Sequence, residues 1–245
     1  LASLSTTKEI FTGGLLASGL HFENYTKALF TNKAALNLLN SVIYTVPSCI
    51  LIIVVCAPAA YCMSRFKFRG AGLIQALIII GLAIPNIMIV MPLFSVVSAL
   101  NLSGTHFTLI FLYTACSVPY TTFFLLTFFK GISTSFEEAA AIDGCGPVKI
   151  LYKIIAPMLS PSLVACGLFQ FMWSCNDYMG PLLYVQTPSK YPMSIFVKLS
   201  MDADSGFNWN RILALSLISI IPQLVVFFCA QDAFIDGISA GAVKG

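Results

Sequence analysis

The chain has 245 residues, of which 58% are hydrophobic and only 9% charged, with a formal net charge of +3. A soluble domain carries about 25% charged residues because water must wet its surface, so this chain is excluded from that class and has lipid as its main solvent. The positive charges are few and scattered, which also excludes a nucleic-acid-binding surface.

Residues 1–34 read as a non-spanning lead, with a turn at Gly13-Gly14 and short helical segments near 22–30. This stretch is too polar for the apolar core of a secretory signal. Beyond it the charges segregate, with none between Lys33 and Arg65, Arg69 and Lys130, Lys153 and Asp177, or Arg211 and Asp232. A span needs roughly 20 mostly apolar residues to cross the hydrocarbon core. The second window holds two spans, with Asn101-Leu-Ser-Gly104 as the polar turn between them. Five spans are therefore predicted, near 41–64, 73–99, 107–129, 160–178 and 211–231, with Pro85-Asn86 interrupting and kinking the second. Backbone groups in lipid must be satisfied within the segment, so each span is a helix. The fold class is an all-α polytopic membrane helix bundle.

The first span ends in Ser64-Arg-Phe-Lys-Phe-Arg-Gly70, a short loop carrying Arg65, Lys67 and Arg69. Short loops rich in Lys and Arg stay in the cytoplasm. That orientation puts residues 130–157 and the tail 232–245 inside, and the lead and residues 179–210 outside. Of the eight cysteines, Cys49, Cys56, Cys116, Cys166, Cys175 and Cys229 fall inside spans. None is paired at C-x-x-C spacing or placed near a histidine, so reduced, buried, inert cysteine is expected.

The loop 131–157 is the most informative segment. Ser135 and Glu138 have the spacing of a capping box, and Glu137 and Glu138 fall at the positive end of the helix they open. Gly144 suits the left-handed residue that ends a helix, and Pro147 suits the first position of the next one. A short helix, a tight turn and a second short helix are predicted, with Phe136, Ala139, Ala140 and Asp143 on one face. So short a helix is not stable alone in water and needs a partner surface.

Glu138-Ala-Ala140, Gly144, Ile154 and Ala156-Pro157 keep the spacing of a known signature, and the chain resembles the permeases of bacterial ABC importers through it. Ala156 departs mildly from the usual Leu. The end Gly237-Ile-Ser-Ala-Gly-Ala-Val-Lys-Gly245 is similar to the closing motif of the carbohydrate branch, the maltose-transporter type. Asn40-Ser-Val-Ile43, residues 60–70 and Trp173-Ser-Cys-Asn-Asp177 match that branch too. The resemblance implies the type I ABC importer transmembrane fold (MetI-like), in a transmembrane domain at 35–231 flanked by the lead and tail. It implies a coupling helix that docks on a cytoplasmic ATPase, with Glu138, Ala139, Ala140, Asp143 and Gly144 as coupling positions. The implied partners are an ABC ATPase dimer, a second permease subunit in a heterodimer, an external solute-binding protein and membrane lipid. The implied cargo is a sugar or oligosaccharide. The family has six spans, so a further span is expected upstream of Leu1.

No Walker-A sequence occurs, so ATP is expected to be bound by separate subunits and no cofactor by this chain. No H-E-x-x-H or G-x-S-x-G occurs either, and the chain is not expected to be an enzyme. Polar residues within spans are costly and therefore informative. Asn86, Gln170, Trp173 and Asn176 are candidates for a translocation path, with the indole as a stacking face for sugar. The alternative for the same residues is glue between helices. An ion-coupled secondary transporter is the rival class, and would place ionisable residues deep in spans.

Overall fold

The computed structural model describes residues 1–31, 34–202 and 208–242. Residues 32–33 at the end of the lead, 203–207 of the loop at 179–210 and 243–245 of the closing motif lie outside them. All regular structure among the described residues is helical. The lead holds α1 (Thr7–Thr12) and α2 (Glu23–Thr26), and α3 (Ala34–Arg65) follows. Next come α4 (Ala71–Ala83), α5 (Asn86–Ala99) and α6 (His106–Gly131). The loop beyond contains α7 (Ser135–Ile142), α8 (Pro147–Ile150), a π-turn at Leu151–Ile155 and α9 (Ala156–Met158). The chain then runs through α10 (Ser160–Asn176), α11 (Met179–Tyr184), α12 (Met193–Asp202) and α13 (Trp209–Ala242).

Three helices are long and apolar enough to cross a membrane, in Ala34–Arg65, His106–Gly131 and Trp209–Ile235. Two further candidates are bent pairs, α4 with α5 at 107° and α8–α9 with α10 at 80°. Counting each pair as one span gives five. The interruption expected in the second span is thus a sharp turn between two helices and not a kink within one. Pro85 lacks an amide and disfavours helical backbone at the residue before it. Ile84 accordingly sits at φ −82°, ψ 119°, which is extended.

The chain divides into two compact units. One comprises residues 1–45, 96–109 and 172–226, and the other 46–95, 110–171 and 227–245. In the first, Ala28, Ala34, Met193, Ala214, Leu215 and Ile218 form an apolar core. The lead is fixed by a capping box at α1, where Thr6 and Glu9 exchange bonds across the helix start. Asn24 donates to the carbonyls of Ser3 (3.0 Å) and Ser5 (3.2 Å), and Asn210 donates to Asn24 (3.0 Å).

The loop between α10 and α13 in the same unit is not a plain connection, since it contains the ten-residue helix α12. It is strapped to α3 through consecutive carbonyls. Asn40 donates to Ser189 and Tyr191 at 2.9 and 3.1 Å, and the Tyr44 hydroxyl donates to Lys190 at 2.9 Å. Lys190 in turn reaches the Gly104 carbonyl at 2.7 Å, at the turn expected between α5 and α6.

The second unit is built around Ile52, Cys56, Ala60, Tyr61, Leu125 and Phe129, with Ile150, Leu151, Ile155 and Leu159 from the loop after α7. The loop read from sequence as a connection between spans is therefore partly core. All eight cysteines are unpaired, but only Cys56 and Cys166 are buried; Cys49, Cys116, Cys145 and Cys175 are half-buried and Cys62 and Cys229 exposed.

Candidate functional site: the loop around the short helix α7

The expected helix–turn–helix is present, and its C-terminal half follows expectation closely. Gly144 is left-handed at φ +78°. The Cys145 amide donates to the Ala140 carbonyl at 2.9 Å, and the Gly144 amide to Ala141 at 3.0 Å. That is the Schellman pair of bonds, which satisfies carbonyls the helix leaves open. Pro147 opens α8 after extended Gly146.

The N-terminal half departs from expectation, because the capping box of Ser135 and Glu138 does not form. Thr134 holds the capping position with helical backbone and makes no side-chain cap bond, which puts Ser135 one position inside the helix. The Ser135 amide donates instead to the Ser133 hydroxyl at 3.3 Å. Glu137 and Glu138 do occupy the first turn, at the positive end of the helix.

Glu137 has a second role that sequence reasoning missed. It accepts from Arg65 Nε at 2.6 Å and from the Tyr61 hydroxyl at 3.4 Å. Arg65 Nη2 also donates to the Ile132 carbonyl at 2.9 Å. The two charged side chains are only 8% and 13% exposed, so water screens them little. In the sequence Arg65 offers a topology charge and a place in the stretch 60–70 that matches the carbohydrate branch, and no sign of its partner. The available signal was a carboxylate beside the signature and a cation closing a span, but no sequence spacing pairs residues this far apart.

The four residues expected on one face do not share one environment. Ala140 is 6% exposed and packed in the unit's core. Phe136, Ala139 and Asp143 point outward, as do Glu138 and Gly144. Ile142 at 87%, Val148 at 71% and Tyr152 at 52% exposure extend the outward surface. One side of α7 is thus anchored, and the other leaves apolar and acidic groups exposed. Leaving large side chains such as Ile142 exposed forgoes roughly 1.5–3 kcal/mol each.

The candidate path residues separate. Gln170 is 3% exposed and donates to the Tyr113 carbonyl at 3.4 Å, joining α10 to α6. That is the glue alternative for this residue. Trp173 and Asn176 are exposed and three residues apart, hence neighbours on the α10 surface. Asn176 donates to Gln223 of α13 at 2.9 Å, and Gln223 went unnoticed in the sequence. Asn86 is exposed at the start of α5.

In the lead, Ser18 Oγ lies 2.8 Å from His21 Nε2, and His21 Nδ1 lies 2.6 Å from Glu23. This has the outline of a nucleophilic triad, but the Ser18 hydroxyl donates to Glu9 at 2.6 Å and so does not donate its proton to the imidazole. No group of three or more potential metal ligands occurs among the described residues.

The family profile described as "Binding-protein-dependent transport system inner membrane component" matches residues 50–238, and the chain belongs to this family. It is 30% identical to the sulfoquinovosyl glycerol transport system permease protein SmoH of Agrobacterium fabrum, over 91% of this chain and 78% of that one. It is 29% identical to the trehalose/maltose transport system permease protein MalG of Thermococcus litoralis, over 100% and 84%. A crystal structure of a bacterial ABC transporter involved in the import of the polysaccharide alginate contains a chain of the same fold. It matches with a TM-score of 0.83 at 23% identity, over 95% of this chain and 87% of that one.

The protein is therefore a non-catalytic, multi-pass inner-membrane subunit of an ABC importer. It works with a binding protein and with ATPase subunits that carry the nucleotide. Family membership displaces the ion-coupled transporter reading.

Proposed function

We propose that this permease imports a sugar or oligosaccharide, pairs with a second and different permease subunit, and receives the ATPase stroke through α7. The observation that carries the coupling role is the two-sidedness of α7. Arg65 and Ala140 hold it to the core of its unit, while Phe136, Glu138, Ala139, Ile142 and Asp143 face away. A helix held this way transmits displacement of its outer face into α3 and α6 instead of swinging freely. The carbohydrate reading is supported by relatives named for sulfoquinovosyl glycerol and for trehalose and maltose. Trp173 and Asn176, with Gln223, are the path residues best disposed to meet a sugar, through a stacking face and two amides. We divide the chain functionally into the lead at 1–34, the transmembrane domain at 35–231 with its coupling loop at 131–157, and a cytoplasmic tail at 232–245.

Gly144→Asp tests the coupling role. Gly144 has nothing within 4 Å of an added Cβ, so the cost of a side chain is conformational, at φ +78°. Aspartate tolerates that conformation better than most side chains, so the new charge at the negative end of α7 adds the larger part of the damage. The variant should insert and assemble, yet lose transport and transport-stimulated ATP hydrolysis in liposomes. Near-normal values in both assays would reduce the loop to an ordinary connection. Uptake of labelled oligosaccharides against compatible solutes, with the cognate binding protein, separates a sugar from a non-sugar cargo.

A further inference from the structure

We propose that residues 66–69 form a binding surface for anionic phospholipid headgroups, placed beside the anchor of α7. The inference rests on membership of the membrane family and on the loop's geometry, and not on the identity of the cargo.

The apolar α3 ends at Arg65, and the apolar α4 begins at Ala71. A connection of five residues reaches at most about 17–18 Å when fully extended, so the segment stays near the ends of these two helices and at the membrane boundary. Its charges are unevenly employed. Arg65 is taken by Glu137 and the Ile132 carbonyl. Lys67 and Arg69 are exposed, and neither makes a side-chain hydrogen bond or ion pair among the described residues. Between and before them stand Phe66 and Phe68, 44% and 41% exposed. Phe66 packs its ring edge-on against Tyr61 at 5.9 Å, which fixes where this aromatic sits.

Aromatic rings favour the headgroup level, where one side is apolar and the other wet. Lys and Arg there attract anionic lipid, by about fivefold per side chain at low ionic strength. The alternation of Phe and cation in this segment supplies both terms within four residues. A water-exposed loop gains nothing from its two large aromatics, whereas the leaflet solvates them and pairs with the charges. Because Arg65 is the immediate neighbour, bound lipid lies one residue from the contact that holds α7.

The test uses the assembled transporter in liposomes containing photoactivatable phosphatidylglycerol or phosphatidylcholine at equal mole fraction, with adducts mapped to permease peptides. Adducts on residues 66–69 should favour phosphatidylglycerol at least fivefold, while adducts on Leu77, an exposed apolar residue of α4, should show no preference. The excess should shrink in 1 M salt in the wild type, where the Debye length is about 3 Å. It should fall to parity in Lys67→Gln/Arg69→Gln and persist in Lys67→Arg/Arg69→Lys. The salt arm and the charge-preserving variant keep the test decisive should the neutral variant fail to insert. Parity between the lipids in the wild type, or crosslinking of this segment to the ATPase with no lipid adducts, would overturn the proposal.

Discussion

Arg65 and Glu137 carry opposite charges in a place where neither can be hydrated well. Their mutual contact at 2.6 Å is the electrostatic part of the anchor of α7. Removing one partner leaves the other poorly solvated, a loss of about 2–4 kcal/mol. Arg65→Gln and Glu137→Gln should each lower the thermal midpoint of the detergent-solubilised complex and reduce stimulated ATP hydrolysis. The double variant Arg65→Glu/Glu137→Arg should recover part of both. Two additive losses without recovery would mean that the pair does not act as a unit. Glu9 is a second residue-scale case, on the lead. Hydrogen bonds from the Ser18 hydroxyl first, then from the Thr6 amide, lower its pKa from 4.5 to about 2. A carboxyl with a depressed folded-state pKa stabilises fully above its unfolded value and loses that contribution as pH falls through the folded one. Protection of the Ser18 amide in hydrogen-exchange mass spectrometry should therefore decline between pH 4.5 and 2. In Glu9→Gln it should be low already at neutral pH and flat across that window.

At the scale of elements, the interrupted helix α4–α5 shows best what sequence conveys. Pro85 lacks an amide hydrogen and disfavours helical backbone in the residue before it, yet Pro47, Pro58, Pro92, Pro119 and Pro222 lie inside helices, so a proline alone does not distinguish a kink from a turn of 107°. The same holds at α7. Gly144 was legible because a left-handed position has a chemical signature. The capping box was misread, because the register of a helix start within a Ser-Thr-Ser run depends on which residue turns helical first. Ala140 belongs to the core side of α7 and not to the face shared by Phe136, Ala139 and Asp143, since one aromatic, two alanines and an aspartate do not say which side meets the core. The contacts that sequence could not convey join residues far apart in the chain, as Arg65–Glu137 and Asn40–Tyr191 do. A further contact of this kind joins α4 to α6. A Cβ on Gly81 would lie 2.9 Å from Cγ of Pro119, a ring atom with little freedom to retreat. Gly81→Ala should cost about 1–3 kcal/mol by overpacking and lower the thermal midpoint, with partial relief in Gly81→Ala/Pro119→Ala. An unchanged midpoint would show that α4 shifts freely against α6.

For the molecule as a whole, orientation follows from where positive charge is dense. A single cysteine at Gly70, or at Gly146 in the coupling loop, in a cysteine-free background should resist an impermeant reagent applied outside and react once the membrane is opened. Reaction at Gly70 from outside would invert the assignment. The break between α4 and α5 also bears on how the protein is made. Two helix ends meet there, and each leaves up to four backbone groups without partners inside its helix. In lipid such groups are expensive, and α4 buries none of its own residues against the rest of the chain. A subunit of this kind is a poor orphan. Synthesised without the proposed second permease, it should linger on insertion chaperones and fall to membrane proteases, so that the cell accumulates no unmatched copies and the complex regulates its own stoichiometry.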